Sequence, residues 1–231
     1  MTVLELQRRT LDRVGDDPDV AVALMHYTPT EVLAALNQAQ RLFVLFTLCL
    51  ETTANFGLTG LSRYHMLETF GDWIVPLRIR NQAGAKVRPS RLNDLSQLDS
   101  NWPAATGFPT RYAHTGFDLL SIYKRTTATI PITYARSPIE LVSSFPADNA
   151  QAPEIPERYQ PDLIDAAVVL LRTKEGMQEW SKTLPQWARF MASVEDLAGK
   201  VRARNKEQGY DAAPVELNRA DQSRMIQRKA G

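Results

Sequence analysis

The residues that could perform catalysis are few and poorly spaced in this sequence. His26, His65 and His114 stand in three separate stretches, and none has the spacing of metal ligands. Glu175 and Glu179 lie four residues apart on a predicted helix, where paired carboxylates could exchange protons, but a solvated helix face explains them more simply. Motifs for a nucleophile elbow, a zinc protease, a phosphate-binding loop or a dinucleotide site do not occur. We therefore expect no enzyme, no catalytic residue, no metal site and no cofactor.

A run of positive charge suggests a different chemistry. Between residues 78 and 91 the sequence has no acidic residue, and a predicted hairpin carries most of the cations. Such a patch can bind the phosphates of nucleic acid, bind an acidic protein surface, or form a solvated face of a sheet. The hairpin lacks the interleaved aromatic side chains typical of nucleic-acid binding, so all three interpretations stay open. This basic patch consists of Arg78, Arg80, Lys86, Arg88 and Arg91.

The composition is that of a globular protein with nearly balanced charge. Its 231 residues include 27 basic and 26 acidic side chains, so a formal net charge of +1 gives no global attraction to nucleic acid or membrane. Cys49 is the single cysteine, which excludes an intrachain disulfide and fits a reducing compartment. The sequence has no apolar run of about 18 residues that could span a membrane, and its N-terminus is amphipathic, unlike a signal peptide. We expect a soluble protein that is not exported and has no membrane partner.

Hydrophobic periodicity predicts helices near both ends of the chain. Residues 2–14 repeat apolar positions at helical spacing. A second helix is predicted to begin at Pro29, because Thr28 and Glu31 match a capping box. The last helices are predicted to span residues 161–174 and 176–207, since apolar residues recur there every three or four positions.

Between about residues 53 and 140 the apolar positions alternate instead. This period of two predicts β-strands, including a hairpin over "WIVPLRIRN" and "KVRPS". "SRLNDLSQLDS" predicts a short helix within this region. Pro131 lies in the last predicted strand, and proline cannot donate a backbone hydrogen bond, so we expect an edge position or a bulge there.

These elements predict an α+β fold, in which a helical bundle from both chain ends carries an inserted small antiparallel β unit. We assign the bundle to residues 1–52 and 154–208, and the β unit to residues 53–145. Residues 209–231 form a polar tail with few large apolar side chains. Such a segment cannot bury enough surface to order itself, so we expect it to dock on a partner.

Two local sequence patterns are typical of a known protein family. The helix start P-x-x-Y-x-x-x-L-I-x-x-A is carried here by Pro156, Tyr159, Leu163, Ile164 and Ala167. A tryptophan a few residues before G-x-P-x-x-Y is carried by Trp102, Gly107, Pro109 and Tyr112. With the order of strands and helices over roughly residues 30–205, the chain resembles the head-to-tail adaptor proteins of tailed bacteriophages, the connector or tail tubular protein A-like family.

The resemblance implies a structural protein of the virion. Members of this family are subunits of a dodecameric ring that docks on the portal protein, carries the tail or nozzle protein on its other side, and surrounds a DNA channel. The implied partners are therefore the portal protein, the tail or nozzle protein, further copies of the same chain, and DNA that passes without sequence-specific binding. The implied location is the neck of the virion, after synthesis in the host cytoplasm.

The tail and the basic patch are the candidate contact sites. We expect apolar and basic side chains of the tail to anchor it on the portal protein or on a neighbouring subunit. The alternative function is a soluble nucleic-acid-binding protein that uses the hairpin between Arg78 and Arg91. The candidate anchor residues of the tail are Leu217, Arg219, Arg224, Met225, Ile226, Arg228 and Lys229.

Overall fold

The structure is a computed structural model, and it divides the chain into two compact units. The helical unit comprises residues 1–47, 139–202 and 214–231, and the sheet unit comprises residues 48–138 and 203–213. The predicted domains, a bundle of residues 1–52 and 154–208 and a β unit of residues 53–145, stay a prediction. The described residues are 1–19, 25–67, 69–115, 119–142, 151–174 and 177–215, without the side chains of residues 177–180.

The described segments contain helices close to those predicted from periodicity. The helices are α1 (Val3–Val14), α2 (Pro29–Thr47), α3 (Leu92–Leu98), α4 (Gln160–Thr173) and α5 (Met177–Glu207), with a 3₁₀ turn at Glu157–Tyr159. The strands are β1 (Glu51–Leu58), β2 (Tyr64–Met66), β3 (Trp73–Arg80), β4 (Lys86–Pro89), β5 (Arg111–His114), β6 (Leu119–Tyr123) and β7 (Ala128–Arg136). Helix α3 belongs to the sheet unit, as do the last residues of α5 from Ala203 onward.

The predicted capping box at the start of α2 is confirmed. The Thr28 N–H donates to Glu31 Oε2 over 3.0 Å, and the Glu31 N–H donates to Thr28 Oγ1 over 3.3 Å. The bond from the Thr28 backbone lowers the pKa of the Glu31 carboxyl, because it favours the charged form. Local sequence therefore determines where this helix begins.

The first family pattern proves to be a set of packing residues in the helical unit. Tyr159, Leu163, Ile164 and Ala167 are all buried. The Tyr159 hydroxyl donates to Asp196 Oδ2 over 2.6 Å, so its polar end has a partner while its ring packs inside. This hydrogen bond joins the 3₁₀ turn before α4 to α5.

A buried carboxylate ties three helices of the helical unit together. The side chain of Asp165 on α4 is only 5% exposed. Arg189 on α5 binds it with two hydrogen bonds, of 2.9 Å from Nε and 3.1 Å from Nη2. Arg13 on α1 binds the same carboxylate. The hydrogen bond to Asp165 also raises the pKa of the Arg189 guanidinium. A buried charge is costly unless it is paired, and this one has two partners.

The predicted fold class is wrong about the β region. The sheet unit contains a seven-stranded mixed sheet with the strand order β1-β7-β3-β4-β5-β6-β2, so the protein is not a helical bundle with a small antiparallel insertion. Neighbouring strands are antiparallel except β4 and β5, which run parallel. The chain between β4 and β5 contains α3, and a helical crossover is the connection that parallel strands require.

The alternation of apolar and polar residues did not predict this sheet, because it shows neither the direction of a strand nor its neighbouring strand. Strand β2 has three residues and β4 has four, which is too short for a clear period of two. Strand β1 mixes polar and apolar residues in "ETTANFGL", because it lies at an edge of the sheet and its polar side faces solvent. The sequence therefore showed fewer strands than the sheet has.

The expectation that Pro131 marks an edge or a bulge is also wrong. Pro131 lies in β7, between β1 and β3, opposite Asn55 in regular register. The pairing of β7 with β3 ends at Ile132, the residue that follows the proline, so the missing N–H breaks no bond to β3. The register shifts lie instead in β3, between Trp73 and Val75 and between Pro76 and Arg78, and the second shift leaves Leu77 as an extra residue.

The second family pattern shapes the loop between α3 and β5. Trp102 is buried with Leu95 and Ala113, and Trp102 Nε1 donates to Ser96 Oγ over 3.1 Å. Gly107 has a φ of +128°, a region that favours glycine because it has no Cβ. The tryptophan and the glycine thus fix a loop that crosses back to the sheet.

Candidate partner-binding surface on the sheet unit

The predicted basic patch lies on β3, β4 and the residue before α3. Arg80 is directly opposite Lys86 on the neighbouring strand, and Arg88 is directly opposite Arg111 of β5. Side chains alternate along strands, so these residues point away from Ile79 and Val87, which are buried in the sheet core. The sheet thus brings together cations from positions that are distant in the sequence.

One end of the basic patch is occupied by the chain itself. The residues after α5 return to the sheet, and the Tyr210 ring lies 5.1 Å from the Arg78 guanidinium carbon. Lys86 Nζ lies 2.6 Å from Asp211 Oδ1 and donates to the carbonyl oxygen of Gly209 over 2.6 Å. Arg78 and Lys86 are therefore committed to an intramolecular contact.

Asp211 is held by three separate groups of the sheet unit. Its backbone N–H donates to the carbonyl oxygen of Leu77 over 2.7 Å, at the residue that the bulge in β3 frees from regular pairing. The Tyr112 hydroxyl donates to Asp211 Oδ2 over 3.3 Å, and Lys86 supplies the opposite charge. Burial raises the pKa of Tyr112, and the nearby Asp211 carboxylate raises it further.

The segment after α5 is further tied to the sheet unit through its own helix end. Arg204 Nη2 lies 3.1 Å from Glu51 Oε2 on β1. Asn205 is buried, and its Nδ2 donates to the carbonyl oxygen of Ala212 over 3.0 Å. Residues 209–213, which the sequence assigned to a docking tail, therefore fold onto their own chain.

The remaining cations of the basic patch are exposed. Arg80, Arg88 and Arg91 form neither an ion pair nor a side-chain hydrogen bond within the part of the chain that the structure describes. Arg111, half-buried beside them, donates to Ser90 Oγ over 3.2 Å. These four guanidinium groups lie next to the occupied end and are available to a partner.

An exposed aromatic side chain borders these arginines. Phe108 is 60% exposed, and the next residue, Pro109, accepts a hydrogen bond of 3.2 Å from Asn81 Nδ2 at the end of β3. The backbone N–H of Arg88 donates to the carbonyl oxygen of Thr110. The loop thus places Phe108 beside the basic part of the hairpin, residues 78–91, which by itself has no aromatic residue. We call Arg80, Arg88, Arg91, Arg111 and Phe108 together the arginine surface.

Sequence reasoning missed Phe108, Arg111, Tyr210 and Asp211 as parts of this site. They are distant from the hairpin along the chain, and each stands in a stretch with its own local explanation. The "GFP" sequence in a Pro- and Gly-rich loop was the one local signal, since loops run over the protein surface.

The predicted anchor residues of the tail lie outside the described residues. These are Leu217, Arg219, Arg224, Met225, Ile226, Arg228 and Lys229. The described chain ends with Pro214, which is buried, and Val215, which is 76% exposed. The carbonyl oxygen of Val215 accepts a hydrogen bond of 3.2 Å from Arg202 Nη1.

Of the three histidines considered for catalysis, His65 and His114 both lie opposite Leu120, on the two strands that flank β6. Burial lowers the pKa of His65, whose ring contacts Phe56 with a centroid distance of 6.0 Å. Glu175 and the side chain of Glu179 lie outside the described residues. Among the described residues, groups of three His, Cys, Asp or Glu that could hold a metal ion do not occur. The helices described are all too short or too polar to cross a membrane.

Comparison with known proteins agrees with the resemblance found in the sequence. A search of curated proteins finds no match. A family model described as SU10 adaptor protein matches residues 1–218, which is nearly the whole chain. The chain therefore belongs to the SU10 adaptor protein family, a family of bacteriophage head-to-tail adaptors.

Proposed function

We propose that this protein is a structural subunit of a ring between the portal vertex and the tail of a phage virion. The family match over residues 1–218 carries this proposal. The ring contains twelve copies, binds the portal protein on one side and the tail or nozzle protein on the other, and surrounds the DNA. The DNA passes without sequence-specific binding, and the protein performs no catalysis.

The two candidate contact sites of the chain suit such a role. A ring subunit needs one surface for its neighbours and another for the portal protein. The arginine surface is an exposed, charged site on a sheet, and sites on regular elements are held more precisely than sites on loops. The rest of the tail, residues 216–231, follows shortly after Asp211, which Lys86 binds to the sheet unit. We propose that Leu217, Met225 and Ile226 anchor this tail on the portal protein or on a neighbouring subunit.

The location follows from the role. An adaptor subunit is made in the host cytoplasm and becomes part of the neck of the virion. Four basic residues of the tail then pair with acidic groups of the partner, and a segment that orders on binding covers a wide area for a modest affinity. These residues are Arg219, Arg224, Arg228 and Lys229.

The test is the mass of the purified protein with and without the portal protein of the same phage. Analytical ultracentrifugation or native mass spectrometry should show a complex that holds twelve copies of this chain per portal ring. Electron microscopy of that complex should show a ring with an open axis. A protein that does not bind the portal protein at any ratio would contradict the proposed function.

A further inference from the structure

We propose that the arginine surface binds the acidic helical unit of a second copy of this chain. The inference deepens the proposed function and rests on it, because a ring requires contacts between copies. It assigns one side of that contact to Arg80, Arg88, Arg91, Arg111 and Phe108.

The sheet contains an unfavourable arrangement of charge. Like charges directly opposite one another on neighbouring strands are destabilising. The sheet contains two such pairs, Arg80 with Lys86 and Arg88 with Arg111. Asp211 offsets the charge of Lys86. Within the described residues, the pair of Arg88 and Arg111 has no carboxylate partner, so an anionic ligand from outside would relieve it.

The occupied end of the basic patch shows which groups bind its cations. There the chain supplies a carboxylate, Asp211, to Lys86 and an aromatic ring, Tyr210, to Arg78. The Asp211 backbone also pairs with the Leu77 carbonyl oxygen. The basic patch therefore already binds a polypeptide that presents a carboxylate and a ring. A second acidic polypeptide segment can bind the free end with the same chemistry.

The composition of the arginine surface favours a protein partner over nucleic acid. Non-specific binding to phosphates uses lysine and arginine alike. Protein interfaces are enriched in arginine and aromatic residues and depleted in lysine. The free cations of the arginine surface are all arginines, the one lysine of the patch is engaged by Asp211, and Phe108 is exposed beside them.

The two units differ in the sign of their net charge. The sheet unit has 12 basic and 8 acidic residues, so its net charge is positive. The helical unit has 15 basic and 18 acidic residues, although 4 of those basic residues belong to the tail. A second copy thus offers an acidic unit to the arginine surface. A contact between two different surfaces is heterologous, and such contacts form rings when the rotation closes.

The experiment compares Arg88→Glu with the matched control Lys206→Glu, another exposed cation of the sheet unit. Both substitutions change the net charge equally, and circular dichroism checks that both variants fold. We expect Arg88→Glu to weaken self-association at least tenfold, or to lower the number of copies bound per portal ring. Lys206→Glu should stay within twofold of the wild type. Self-association of the wild type should weaken as NaCl rises.

A chemical cross-link identifies the partner surface. Arg88→Lys places an amine on the arginine surface, and a carbodiimide joins amines to carboxylates that touch them. A mixture of ¹⁴N and ¹⁵N copies distinguishes cross-links between copies from those within one copy. We expect cross-links from position 88 of one copy to carboxylates of the helical unit of another. Cross-links confined to one copy would overturn the inference.

The outcomes separate the inference from the proposed function. If Arg88→Glu assembles on the portal protein like the wild type, the inference is wrong and the proposed function stands. If Arg88→Glu assembles normally but loses binding to duplex DNA with a steep salt dependence, the arginine surface binds nucleic acid instead. If the wild type neither binds the portal protein nor self-associates, both are wrong.

Discussion

Lys86 and Asp211 form an ion pair of 2.6 Å that ties strand β4 to the chain segment after helix α5. Asp211 is nearly buried, with 8% of its side chain exposed, whereas Lys86 is 40% exposed. The pair lies at the point where the chain continues into its C-terminal residues. The sheet unit therefore holds the chain as far as residue 213.

Asp211→Ala should loosen this segment without unfolding the sheet. The substitution removes the charge partner of Lys86 and the acceptor of the Tyr112 hydroxyl, which should cost about 1–3 kcal/mol of local stability. Hydrogen exchange at the amide of residue 211, which bonds to Leu77, measures the effect and should become at least fivefold faster. Glu207→Gln, on the exposed end of α5, is the control. Equal exchange rates in both variants would show that the ion pair does not hold the segment.

Truncation should separate the segment that folds onto the sheet from the segment that binds a partner. A chain that ends after Val215 keeps Tyr210 and Asp211, so it should keep the stability of the full chain. If the tail is the anchor, this chain should no longer join the portal protein. A chain that ends after Gly209 should also lose stability, because it lacks both residues. Normal assembly of the chain that ends after Val215 would contradict the anchor role of the tail.

Removal of the buried Asp165 carboxylate should destabilise the protein less than removal of its two arginine partners. Asp165→Asn leaves Arg13 and Arg189 without a partner, but both are partly exposed and can be solvated. Replacement of both arginines by methionine leaves a buried carboxylate without a cation, which should cost about 3–5 kcal/mol of the free energy of unfolding. Urea denaturation should show a smaller loss for Asp165→Asn, with Glu157→Gln as an exposed control. The reverse order would show that the carboxylate is less buried than the structure indicates.

Stability should fall at alkaline pH because of Tyr134. Burial and a hydrogen bond of 2.9 Å to Asp72 raise the pKa of Tyr134 to about 12 in the folded protein. A tyrosine in the unfolded chain has a pKa of about 10, so the unfolded state releases its proton first as the pH rises. The contribution is complete below about pH 10 and is lost between about pH 10 and 12. The melting temperature of Tyr134→Phe should fall less steeply over this range than that of the wild type.

Stability should also fall at mildly acidic pH because of His65. Burial lowers the pKa of this imidazole in the folded protein, so the unfolded chain binds a proton more readily. Its contribution is present above the unfolded pKa of about 6.5 and is lost as the pH falls below that value. The free energy of unfolding at pH 7.5 and 5.5 measures the effect. His65→Gln should lose less stability than the wild type between these values, and an equal loss would assign the pH dependence to other groups.

Features that depend on near neighbours in the chain could be predicted from the sequence. The capping box of Thr28 and Glu31 joins residues three apart, and it sets the beginning of α2 in the structure as predicted. The long helices follow from an apolar period near 3.6, because the hydrogen bonds of a helix join residues four apart. The resemblance to phage adaptors rested on short patterns such as that of Tyr159, and the family match confirms it.

The strand partners and the arginine surface were decided only by the tertiary structure. Strand pairing joins residues that may be far apart in the chain, and alternation gives a side-chain face but no partner or direction. The sequence therefore could not show that β4 and β5 run parallel, or that Arg88 lies opposite Arg111. The ion pair of Lys86 and Asp211 has the same origin. Local sequence thus determines helices and caps, because their bonds are local, whereas the path of the chain in space determines which charges meet.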